Sequence, residues 1–213
     1  MANPTIEELQ NEEKFELVVK LNHVQIKKFV IEQLTKKSRI VFVYMIYQIL
    51  MMLTGIFFLT LSITTAFQGD FHPLFFTFAA LVFSFSFLVI IHEGIHGIAL
   101  KLTGAKTIRF GAYLKKFIFY AEANRHVLNR KQFTLLALAP LLVVQIVTFA
   151  GIGLYWNQSF VYFWIITMST HSLFCTGDIG LLSVFYSSEN ELYTFDVNEE
   201  KRSYFYRGKL TEI

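Results

Sequence analysis

From Leu74 to Leu100 the chain carries a single formal charge, Glu93. At ~1.5 Å per helical residue that stretch is longer than the ~30 Å of hydrocarbon in a bilayer. Backbone in lipid must satisfy its own hydrogen bonds, so the stretch can only be a helix. The charge it tolerates sits in His92-Glu93-Gly94-Ile95-His96, an HExxH pattern. Two histidines four apart lie on one helix face, a turn apart, and can converge on one metal ion. Zinc takes imidazole nitrogen and, in catalytic sites, keeps one position for water. Glu93 then stands where it can take a proton from that water. With six His and thirteen Glu in 213 residues, chance alone supplies such a motif in ~0.01 chains of this make-up. Ionisable side chains inside a span are costly and mark function.

Apolar residues make up 54% of the chain and its mean hydropathy is +0.47, too apolar for an ordinary soluble domain. Four segments are long enough to cross a membrane: 40–66, 73–101, 133–156 and 159–186. They predict an all-α membrane protein with four transmembrane helices and a small cytoplasmic β-hairpin element. This divides the chain into three regions: 1–39 with a strand at Phe15–Leu21 and a surface helix from Asn22 to about Lys37, the membrane domain 40–186, and the tail 187–213. Residues 1–14 read as a frayed polar end, and the polar first 39 residues as carrying no cleavable signal peptide. Segments 107–113 and 117–122 read as a hairpin around Lys115 and Lys116, and 192–197 with 203–206 as a second. Pro140 leaves the Leu136 carbonyl without its helical donor, which in a membrane calls for another partner. His72 and His126 read as loop and surface residues.

All 19 basic residues lie in 1–39, 101–132 and 187–213, and the turns at 67–72 and 157–158 hold none. The positive-inside rule places those three segments, and both termini, in the cytoplasm of a multi-pass cell-membrane protein. No basic, aromatic-interleaved patch points to nucleic acid, so the expected partners are the lipid bilayer and a membrane protein or peptide substrate. The single cysteine, Cys175, allows no internal disulfide.

Asp178 is the other acidic residue within a predicted span. His92 lies 19 residues beyond Pro73 and Asp178 lies 19 beyond Ser159. Both segments start at the same surface, so the two side chains reach similar depth. Asp178 is therefore the candidate third ligand to zinc beside His92 and His96; the alternative is an aspartate hydrogen-bonded to His171 or a serine. Gly177 and Gly180 allow bending and close helix approach there. On a straight helix His171 falls roughly 10 Å from Asp178, too far to share an ion, leaving it to organise water or hold substrate. Gly111 permits close backbone approach along the first hairpin, whose edge could receive an extended substrate.

The HExxH within a span, the basic hairpin after it, the Pro140 helix and the late Asp178 together resemble the putative zincin peptidases, small bacterial membrane proteins, and are similar to site-2-protease-like intramembrane zinc metallopeptidases. The resemblance covers about 40–186. It implies zinc held by His92, His96 and Asp178, with Glu93 as general base for peptide hydrolysis within or near the membrane. Where site-2 proteases carry Asn-Pro-Asp-Gly or Leu-Asp-Gly, this chain has Thr-Gly-Asp178-Ile, and no segment resembles a PDZ module. The sequence leaves two alternatives open: a non-catalytic zinc-binding pseudoprotease serving as membrane chaperone or regulator, and a proton or metal transporter.

Overall fold

The computed structural model describes residues 3–113, 118–187 and 189–209. It is mostly helical, with three helices long and apolar enough to cross a membrane: Arg39–Phe67, His72–Leu102 and Arg130–Leu154. The first is α3 and the third α6. The second is composite: α4 (His72–Phe83), a π-turn (Ser84–Leu88) and α5 (Val89–Leu102). The extra residue of a π-turn rotates the remainder of the helix about its axis, and here it falls one turn before His92.

The predicted span 159–186 is instead two helices, α7 (Val161–Phe174) and α8 (Thr176–Tyr186), which meet at Cys175. α7 packs against α3, α4 and α6. A helix enclosed by protein can carry polar residues that lipid would exclude, and α7 buries Thr167, Ser169, His171 and Ser172. Two tethers come from α3: the Tyr44 hydroxyl donates to the Ser172 carbonyl, and Gln48 Nε2 donates to Ser172 Oγ at 3.1 Å.

Outside the helices lie two antiparallel sheets. β2 (Arg109–Tyr113) pairs with β3 (Ile118–Glu122), with Gly111 opposite Tyr120. The predicted turn residues Lys115 and Lys116 lie outside the described residues. The second sheet has the order β1-β6-β5-β4, from β1 (Phe15–Asn22), β4 (Leu128–Asn129), β5 (Leu192–Val197) and β6 (Arg202–Gly208). The tail forms the predicted hairpin, β5 against β6, but the hairpin does not stand alone. It pairs with the N-terminal strand from Phe15 opposite Gly208 to Asn22 opposite Arg202, and with the start of α6 through Leu128 opposite Thr194. One sheet joins both ends of the chain and its middle. Since α6 leaves that sheet and β5 re-enters it, α7 and α8 together bring the chain back.

The sheet is fastened to the helix ends by aromatic stacking. Phe133 of α6 stacks on Phe185 of α8 at 4.5 Å, and Phe185 meets Phe205 of β6 at 5.9 Å. On its other face Leu9, Phe195, Val197 and Tyr206 form a core. Leu9 belongs to α1 (Ile6–Leu9), which begins in a capping box between Thr5 and Glu8. Residues 3–14 are therefore ordered where fraying was expected: Asn3 donates to the Val127 carbonyl at 2.7 Å and to Gln132 Oε1 at 2.6 Å. Removing the fully buried Leu9 side chain leaves a cavity in a small core. Leu9→Ala should destabilise the sheet by about 2–4 kcal/mol, read as a lower melting temperature in detergent, while the exposed Leu17→Ala serves as an unaffected control.

The surface helix α2 (Ile26–Thr35) starts after a 3-10 turn, His23–Gln25, capped by Asn22 Oδ1 on the Val24 amide. It does not lie free on the membrane but packs on α8. Gly180 makes that possible, since a Cβ there would sit 2.7 Å from Val30 Cγ1.

Candidate metal centre

α5 carries His92 and His96 on one buried face, as the four-residue spacing requires. α8 presents Asp178 in its first turn. His92 Nε2 and His96 Nε2 are 3.1 Å apart. The carboxylate spans them, with Oδ2 3.4 Å from His92 Nε2 and Oδ1 3.3 Å from His96 Nε2. Ligands at ~2.0–2.1 Å around a tetrahedral zinc are separated by about 3.3 Å. The three side chains thus have the spacing of ligands around one ion.

The tautomers point the same way. His96 Nδ1 lies 3.0 Å from the Leu136 carbonyl, which can only accept, so this nitrogen carries a proton and Nε2 is the atom left to meet a metal. This is the carbonyl that Pro140 deprives of its helical donor: the break in the α6 ladder faces the site and is used. Asp178 Oδ2 is buried with no hydrogen-bond partner among the described residues. Two imidazole nitrogens and a carboxylate at this spacing are a donor set that suits zinc.

Glu93 projects from α5 beside this group onto the wall of a cavity of about 590 Å³. Its carboxylate faces the Ala121 backbone amide of β3. Phe119 and Ala121 of β3 both line the cavity. Gly97, directly after the second histidine, lets the Phe110 ring of β2 rest on α5, where a Cβ would be 2.6 Å from Phe110 Cζ. The other walls are Ile26, Val30 and Leu34 of α2 and Leu173, Gly177 and Leu181 of α7 and α8. Nothing lies within 4 Å of a Cβ built on Gly177, so the approach to Asp178 stays open.

At its far end the cavity reaches His23, Glu122, His126, Asp196 and Ser203. Ser203 Oγ donates to Asp196 Oδ1 at 2.5 Å. Burial, with the Asp196 charge adding to it, holds the Glu122 carboxyl above the usual carboxylate range. Burial pushes the His23 and His126 imidazoles below theirs. His126 was expected at the surface. It is half-buried, its Nε2 3.0 Å from Thr103 Oγ1 at the end of α5, and sequence offered no signal for that contact.

Two further expectations change. Gly111 does not face the cavity edge: its missing side chain is filled by the Tyr120 ring across the strand pair. His171 is not remote. It is completely buried with Nε2 3.1 Å from His92 Nδ1, which sets it behind a candidate ligand; the helix break at Cys175 lies between it and Asp178.

A helix-borne HExxH face completed by an acidic residue from a later helix is a ligand arrangement of metallopeptidase type. The profile of a family described as Putative zincin peptidase matches residues 85–193, about half of the chain, from the π-turn through Asp178 into β5. The chain belongs to that family. Comparison with curated proteins and with solved structures gave no match.

Proposed function

We propose that this chain is a membrane-embedded zinc metallopeptidase that hydrolyses peptide bonds of membrane proteins or peptides within or near the bilayer. The observation that carries this reading is the convergence of His92, His96 and Asp178 on one point, 3.1–3.4 Å apart, with Glu93 beside them on the wall of an open cavity. Bound there, zinc supplies a Lewis acid for the scissile carbonyl and lowers the pKa of water. Glu93 takes the proton of the attacking water and passes it to the leaving amine. Leu136, through its carbonyl, fixes the His96 ring. A peptide bond inside a helix has its carbonyl engaged, so substrate must be unwound before attack. β3, whose Phe119 and Ala121 line the cavity, is the strand beside which such an extended segment would lie.

The same reading takes α7 and α8 as a fourth, broken crossing. It is supported by the shared sheet, which gathers the N-terminus, the start of α6 and the tail on one side. Every basic residue lies in the segments at that side, which assigns it to the cytoplasm. A cysteine at Gln68 in a Cys175→Ala background should then react with an impermeant thiol reagent from outside intact cells, and one at Lys106 should not. The reverse pattern would invert the orientation.

The test of the centre itself is metal content. Detergent-purified protein should hold about one zinc per chain, and His92→Ala/His96→Ala should hold less than about a tenth of that. Full zinc retention by the double variant would refute the site.

A further inference from the structure

We infer that His171 is a positioning residue that locks His92 in the tautomer able to bind metal, an inference that rests on the zinc reading above. Each ligand histidine needs its second ring nitrogen held, because that bond selects the tautomer and aims the other nitrogen. His96 obtains this from the Leu136 carbonyl, available because Pro140 supplies no amide. His92 lies one turn deeper, where the chain supplies a side chain instead. His92 Nδ1 and His171 Nε2 are 3.1 Å apart, and both rings are buried.

The direction of the bond is set by its surroundings. His92 Nε2 faces His96 Nε2 and Asp178, so a metal-binding His92 carries its proton on Nδ1. His171 Nε2 must then accept, which puts the His171 proton on Nδ1. That nitrogen finds Cys175 Sγ at 3.7 Å, a weak acceptor. The break between α7 and α8 gives the arrangement its shape. The last turn of α7 reaches the back of the His92 ring and the first turn of α8 reaches its front, so His171 and Asp178 hold it from opposite sides.

His92 Nδ1, His171 Nε2 and Cys175 Sγ also lie close enough to hold an ion of their own. Such an ion would displace the His92 Nδ1 proton, so the two assignments make different predictions.

The experiment uses full-length protein in detergent, with zinc alone as ligand in competition with a chelator, and with histidine nitrogen NMR on the zinc-free protein. Losing a hydrogen-bond partner of this kind weakens metal binding by about 10–100-fold, which is the expected effect of His171→Phe. His171→Gln places an amide oxygen near the same donor and should restore affinity to within about threefold of wild type. The spectra should show His92 protonated on Nδ1 in wild type and His171→Gln, and a tautomer mixture in His171→Phe. Wild type should bind one zinc, and Cys175→Ala should still bind one.

Equal zinc affinity in His171→Phe and wild type, with the His92 tautomer unchanged, would overturn the inference. Equal weakening by Phe and Gln would overturn it too, since only packing would then be at stake. A second zinc in wild type, lost from both His171→Phe and Cys175→Ala, would replace it with a second metal site. If wild type bound no zinc, the proposed function would fall, while the His92 tautomer would still report on His171 by itself.

Discussion

Glu93→Gln should retain one zinc per chain and lose peptide cleavage. Glutamine keeps the size of the side chain and can still meet the Ala121 amide, but it cannot accept a proton from water. A positioned general base contributes about 10²–10⁴ in rate, and the loss should appear in kcat with the metal undisturbed. Asp178→Asn should fail in the opposite order. Its carboxylate lies within 3.4 Å of both ligand nitrogens, and removing that charge weakens the metal before it touches proton transfer. Zinc analysis beside kcat/KM for both variants separates base from ligand. Normal turnover by Glu93→Gln would remove the hydrolytic mechanism and leave a zinc-binding protein.

How far the sequence led depends on how local each signal was. The HExxH face is dictated by spacing on one helix, and His92 and His96 converge as that spacing requires. The Leu136 carbonyl was traceable to Pro140 by counting four residues back, and the neighbour it needed is His96, a candidate ligand. The match in depth between His92 and Asp178 survived two irregularities, the π-turn in one segment and the break in the other. For His171 the spacing gave only its separation from Asp178; its contact with the His92 ring depends on how helices far apart in sequence pack together, which the spacing within one helix does not show. α1 was missed although Thr5 and Glu8 spell a capping box, because a four-residue helix is stable only through Leu9 and its distant core partners. The shared sheet was not legible at all. Phe15 and Gly208 are almost a chain length apart, and nothing in either hairpin pattern specifies a partner across that distance. β4, two residues long, has no period to read.

The edge of β3 yields the last expectation. The Ala121 amide faces Glu93 and the amides of a strand alternate, so Tyr120→Pro removes one from the side of β2 and Phe119→Pro one from the opposite edge. If substrate adds as a strand, Phe119→Pro should lower kcat/KM by about tenfold or more, the worth of one lost backbone bond plus a constrained φ. Zinc content should hold, because Phe119 is not among the candidate ligands. Tyr120→Pro should lower activity and also destabilise the hairpin, and so distinguishes a docking defect from a structural one. The effect should be largest for substrates whose scissile segment is already extended, since those gain most from backbone pairing and need least energy to unwind. A Phe119→Pro enzyme with wild-type turnover on such substrates would reduce the hairpin to a cap over the membrane surface, held by the Phe110 ring on Gly97.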